Sequence, residues 1–156
     1  MHFPIICLEN VDTPVEDWCD DLPYDDKTLQ EHTDYYGELY NAEQRRETIY
    51  RLGLFFKGFA DVDPDKETVT FKDEKTCDRH RMSYYYELAE ELYHKAEDGK
   101  IKWFDFYQAA TEYNDYSTLF YLADGGYAQT SMSFVDDCIY NAGKTYRIGN
   151  IFDAHM

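Results

Sequence analysis

Positive charge is scarce in this chain. Fifteen Lys and Arg stand against 32 Asp and Glu in 156 residues, a net charge of −17. No basic stripe exists to contact phosphates, so direct binding of DNA, RNA or an anionic membrane is not expected. Long hydrophobic runs are missing as well. No stretch approaches the ~20 apolar residues of a membrane span, and no basic segment precedes the short apolar run near residue 1, which argues against a secretory leader. The four cysteines, Cys7, Cys19, Cys77 and Cys138, include no C-x-x-C pair, so neither a zinc ribbon nor a dithiol motif is written in the sequence. These absences together lead to the expectation of a cytoplasmic protein with reduced thiols.

Catalytic and cofactor motifs are also lacking. The run Asp61-Val62-Asp63-Pro64-Asp65 starts like a calcium loop, but Lys66 and Lys72 occupy the positions where the turn glycine and the chelating glutamate belong. A solvated hairpin turn is the better reading. None of the five histidines pairs with another at i,i+3 or i,i+4 or lies in an H-E-x-x-H pattern. The spacing Cys77-x-x-His80 offers two zinc ligands without an obvious second pair. Asp124-Gly125-Gly126 has no phosphate-loop context, and Ser131 and Ser133 lie in no nucleophile elbow. No catalytic residue, metal ligand or cofactor is therefore assigned.

What the chain does have is acid and tyrosine. Aromatic residues make up 18%, sixteen of them tyrosine. The acidity is uneven: residues 1–50 hold thirteen Asp/Glu and three Lys/Arg. Residues 9–43 alone hold twelve acids and a single cation, Lys27.

Apolar periodicity gives an α+β expectation for residues 1–156 as one domain: a small, mainly antiparallel sheet packed with three to four helices. Residues 2–8 read as a strand, with Pro4 suggesting either an edge strand or the first residues of one. Residues 9–26 read as loop, with a helical turn after Pro14. A helix is expected from Asp26 or Thr28, capped by Thr28-x-x-Glu31 and ending before Gly53, with a possible break at Gly37. Residues 54–62 and 67–72 form a hairpin around Asp63-Pro64-Asp65-Lys66. A second helix covers residues 75–97, with Tyr85, Leu88, Ala89 and Leu92 as its apolar stripe. A third covers 103–113, with Phe104, Tyr107 and Ala110/Thr111 on one side. A strand at 117–123, a helix at 131–140 and a strand at 144–152 complete the chain.

If residues 26–53 are one helix, Glu31, Asp34 and Glu38 share a face at i, i+3 and i+7. A row of carboxylates at that spacing imitates a phosphate strand. Tyrosine adds contact area at low entropic cost. Three successive residues sweep about 200° of a helix, so Tyr84-Tyr85-Tyr86 cannot all enter one core stripe, and at least one hydroxyl should reach water or a partner. The leading expectation is an acidic inhibitor that mimics nucleic acid and blocks the basic groove of a nuclease, restriction enzyme or CRISPR-type effector. In composition alone the chain is similar to small anti-defence inhibitors from phages and mobile elements. The contact residues expected are Glu16, Asp17, Asp20, Asp21, Asp25, Asp26, Glu31, Asp34, Glu38, Tyr35 and Tyr84, and the partner is a basic protein surface. Two other readings stand beside it: an adaptor or immunity-like partner of another basic protein, and an enzyme whose site draws on Cys77, His80 and His94.

Overall fold

The computed structural model describes residues 2–111 and 118–156; Tyr113, Tyr116 and Ser117 lie outside them. The elements run β1 (His2–Asn10), a 3₁₀ turn (Val15–Asp17), α1 (Lys27–His32), β2 (Tyr35–Leu39), α2 (Ala42–Phe55), β3 (Ala60–Asp63), β4 (Thr68–Phe71) and α3 (Glu74–Glu97). They continue with α4 (Trp103–Thr111), β5 (Leu119–Leu122), β6 (Tyr127–Thr130), α5 (Ser131–Asp136), a second 3₁₀ turn (Cys138–Asn141) and β7 (Thr145–His155). The class is α+β, but the sheet is larger than expected and mixed. Its order is β3-β4-β7-β1-β5-β6, with β2 on β7, and β1 and β5 run parallel.

β1 is not an edge strand. It lies between β7 and β5 in the interior. Pro4 is tolerated because the register with β5 starts only at Ile5, so the strand has no ladder partner on that flank at Pro4. The run Ile5–Leu8 is apolar throughout because both faces are covered. Phe3, Ile5 and Cys7 join Leu22, Leu29, Leu119 and Tyr121 on one side. Ile6 and Leu8 join Ile49, Leu52, Phe56, Phe71, Phe120 and Phe134 on the other. Phe56, at the end of α2, is the hub of this second core: its ring centroid lies 5.5 Å from Phe71, 5.5 Å from Phe120 and 5.6 Å from Phe134. A fully buried ring of this size contributes about 1.5–3 kcal/mol through burial.

β7 carries a bulge. Ile6 pairs with Ile151 and Leu8 with Ile148, so Cys7 faces both Gly149 and Asn150. Alternation in a strand has period two. The extra residue lets Ile148 and Ile151, three apart, enter the same core.

The expected long helix is two short ones separated by a strand. Asp26, not Thr28, caps α1 through the Leu29 amide, and Asn41 with Gln44 forms a full capping box at α2. Between them β2 pairs with the outer end of β7, and Asp34 N donates to His155 O (2.8 Å). Gly37, the adjacent Tyr35-Tyr36 and the repulsion of Glu31, Asp34 and Glu38 weaken the helix here. The open edge of β7 supplies the hydrogen bonds instead.

Other differences are local. Residues 54–59 end α2 and form a turn, so the hairpin starts at Ala60. Residues 131–140 divide into α5 and the second 3₁₀ turn, and β6 was not foreseen. In α3 the seam is Cys77 and Leu92, both buried, with Tyr85 and Leu88 half-buried; Ala89 faces solvent. In α4, Phe104 and Tyr107 are exposed while Phe106 is half-buried.

Candidate partner-binding face

Residues 9–26 hold eight acids and no Lys or Arg. They form a strap over the first core. Glu9 continues the alternation of Cys7 on β1, turns towards the strap and is only 3% exposed. Its Oε1 accepts the Cys19 amide (2.7 Å), and burial pushes its carboxyl up from the ordinary value against that hydrogen bond. The site has room for Glu9 because Gly149 has no side chain: a Cβ there would lie 2.6 Å from Glu9 Cγ.

Further anchors hold the strap along its length. Asn150 Nδ2 donates to Cys19 O (2.9 Å), and Trp18 Nε1 donates to Thr13 O (3.2 Å). The Trp18 ring lies under the Arg45 guanidinium, 5.8 Å away. Leu22 is buried, and its carbonyl accepts the Tyr36 hydroxyl. Burial and the neighbouring Asp21 carboxylate push that hydroxyl up to about 12. The strap is thus ordered by its own chain, so presenting it to a partner incurs little further ordering entropy.

The expected contact residues separate into groups. Glu16, Asp17, Asp20 and Asp25 on the strap, and Glu38 on β2, are exposed and make no ion pair among the described residues. Asp21 is exposed, yet it accepts the Leu22 amide and the Tyr36 hydroxyl. Asp26 is committed to the fold: one oxygen caps α1 and the other accepts the Ala128 amide (2.8 Å). Glu31 pairs with Lys27 at 3.7 Å. Asp34 lies 3.9 Å from His155 Nδ1. Glu31, Asp34 and Glu38 fall in α1, in the link and in β2, so the helical row of carboxylates does not exist. Tyr35 is exposed and stacks on His155. Tyr84 is half-buried against the second core, on the other side of the sheet from the strap. It is Tyr86 of that triplet that reaches solvent.

Several acids elsewhere are matched within the chain, while others, such as Glu43, Glu74, Glu87 and Glu90, are exposed without an ion pair among the described residues. Arg51 meets Glu47, Lys72 meets Asp61, Arg81 meets Asp78 and Lys95 meets Glu91.

The alternative catalytic set is dispersed. Cys77 lies under the Phe59 and Lys72 carbonyls, His80 packs on the Phe59 ring, and His94 pairs with Glu97 near the far end of α3. Cys77 and His94 are about 25 Å apart at the rise of a helix. No three His, Cys, Asp or Glu side chains among the described residues are placed to share a metal ion. The Asp61–Asp65 run is the hairpin turn, with Asp63 accepting the Asp65 and Lys66 amides.

Glu9, Arg45 and the proximity of Cys7 to Cys19 carried no sequence signal beyond the alternation that placed Glu9 on the same face as Cys7. Among the described residues no helix is long and apolar enough to cross a membrane. Comparison with protein-family models, curated proteins and solved structures finds no match to this chain.

Proposed function

We propose that this protein acts by occupancy: the acidic strap binds a basic protein surface and blocks it, without catalysis. The groove of a nucleic-acid-handling enzyme, such as a nuclease, restriction enzyme or CRISPR-type effector, concentrates Lys and Arg at the density required. The observation that carries this reading is that Glu16, Asp17, Asp20 and Asp25 are exposed on one preordered segment with no cation beside them, whereas Glu31, Glu47, Asp78 and Glu91 on the helices each meet a Lys or Arg. Solubility alone requires dispersed charge, not a preordered anionic segment.

The test is a tagged pull-down at low salt with a salt step, comparing the parent with a Glu16→Gln/Asp17→Asn/Asp20→Asn/Asp25→Asn variant. Exposed ion pairs contribute about 0.2–1 kcal/mol each, so four together should weaken binding about fourfold or more. The unfolding midpoint should stay level or rise, because like charges are removed. Added duplex or guide RNA should displace the partner. A partner indifferent to nucleic acid would favour the adaptor role. Recovery of a mere spread of basic proteins, equal for parent and variant, would end the proposal.

A further inference from the structure

Three of the four cysteines are described as free thiols: Cys7, Cys19 and Cys77. Two of them meet. Cys7 is fully buried on β1 at the bulge of β7, and Cys19 is half-buried on the strap. Cys19 packs on the core that contains Cys7, because its anchors are Glu9, two residues along β1 on the same face as Cys7, and Asn150, opposite Cys7 at the bulge. Cys19 is held on both sides, its amide on Glu9 and its carbonyl on Asn150. It also lines an open cavity of about 340 Å³ with Glu9, Asn10, Thr13, Asp17 and Asp124. Cys77, in contrast, is fully buried beneath the Phe59 and Lys72 carbonyls.

We propose that Cys19 and Cys7 are a reactive thiol pair, Cys19 attacking and Cys7 resolving, which a small neutral peroxide oxidises to a disulfide that staples the acidic strap to β1. The inference stands apart from the identity of any partner. Charge selects the oxidant class: Glu9, Asp17 and Asp124 repel an anionic disulfide such as oxidised glutathione, whereas hydrogen peroxide is uncharged and fits the cavity.

In the first step the Cys19 thiolate attacks one peroxide oxygen. The O–O bond breaks, Cys19 becomes a sulfenic acid, and hydroxide leaves to take up the proton that Cys19 released. In the second step the Cys7 sulfur attacks the Cys19 sulfur, the S–O bond breaks, and the Cys7 proton leaves with the hydroxyl as water. Two thiols lose two electrons and the peroxide becomes two waters. The roles follow from environment. The Cys7 hydrogen bond holds the Cys19 thiol below its ordinary value against burial, while that same hydrogen bond and burial push Cys7 up. As a neutral thiol Cys19 donates to Asp21 O (2.9 Å); as a thiolate it accepts from Cys7.

The experiment treats the full chain with substoichiometric hydrogen peroxide, blocks remaining thiols and maps the peptides by mass spectrometry. The expected result is a Cys7–Cys19 cross-linked peptide with Cys77 still reduced, together with a thermal midpoint raised by several degrees that falls back on addition of dithiothreitol. Cys7→Ala should trap Cys19 as a sulfenic acid that reacts with a dimedone probe, and Cys19→Ala should leave Cys7 reduced. The mapping is done on the parent chain, so a variant that fails to fold does not remove the test. Finding both thiols unreacted, Cys77 oxidised first, or Cys19 driven to sulfinic acid with Cys7 untouched would each overturn the proposal.

Discussion

Replacing Arg45 should be costly out of proportion to its position on a largely exposed helix. β7 is paired with β4 over Thr145–Arg147 and with β2 from Phe152 to His155. Between these, the carbonyls of Ile148 and Gly149 face α2 instead of a strand. Arg45 fills that interval. Its guanidinium donates to Ile148 O (2.6 Å) and to Gly149 O, and grips Glu67 through Nε (3.1 Å) and Nη2 (2.6 Å). Arg45→Ala leaves two carbonyls of a buried strand without donors, each costing about 1–3 kcal/mol. The Arg45 side chain is 18% exposed, so water can reach part of the vacated space, and the lower half of that range applies. With the Glu67 pair included, the loss should be about 2–4 kcal/mol, or about 5–15 °C in Tm for a chain of this size. Arg45→Lys should recover no more than about half, because one ammonium cannot bridge two carbonyls and a carboxylate as a planar fork does. Urea unfolding followed by circular dichroism at neutral pH is the assay, with a lower midpoint and an unchanged m-value expected. A loss below about 0.5 kcal/mol for Arg45→Ala, or a lysine variant equal to the parent, would refute the bridging role.

Two further predictions concern Glu9. Gly149→Ala should destabilise by about 1–3 kcal/mol through overpacking, since the new Cβ would meet Glu9 Cγ at 2.6 Å and Cys7 O at 3.4 Å. Much of that cost should vanish in a Glu9→Ala background, and an equal cost in both backgrounds of a double-mutant cycle would show that Glu9 is not the obstruction. Burial raises the folded-state value of Glu9, so the native chain holds this proton more tightly than the unfolded one. Its contribution to stability is therefore greatest below the ordinary carboxylate range and declines as pH rises through the folded value. Glu9→Gln, which can still accept the Cys19 amide, should match the parent in acid and exceed it at neutral pH. Parallel melts across that interval would contradict the linkage if the two proteins kept a constant difference.

Much of the fold was legible wherever local signals and tertiary context agree. The α3 helix was readable within one residue of its start because its half-buried seam repeats at helical spacing and nothing competes for it. The hairpin turn at Asp63 was readable because Asp63 and Pro64 are turn formers on their own account. The segment 26–53 was not, because its acids and a partial capping box suggested one helix, while the free edge of β7, more than a hundred residues away, took the middle of it as a strand.

The candidate face divides in the same way. Composition alone established that the first third of the chain is anionic, and the residue types after β1 marked that stretch as a loop. Those properties depend on residue identity and survive any arrangement of the chain. Which carboxylates stay unpaired, that Asp26 serves the fold, that Tyr84 lies across the sheet from the strap, and that Cys7 meets Cys19 were decided only by tertiary structure. Each depends on a distance between residues far apart or oppositely facing, and such distances follow from the strand order and the bulge in β7, which local pattern does not encode.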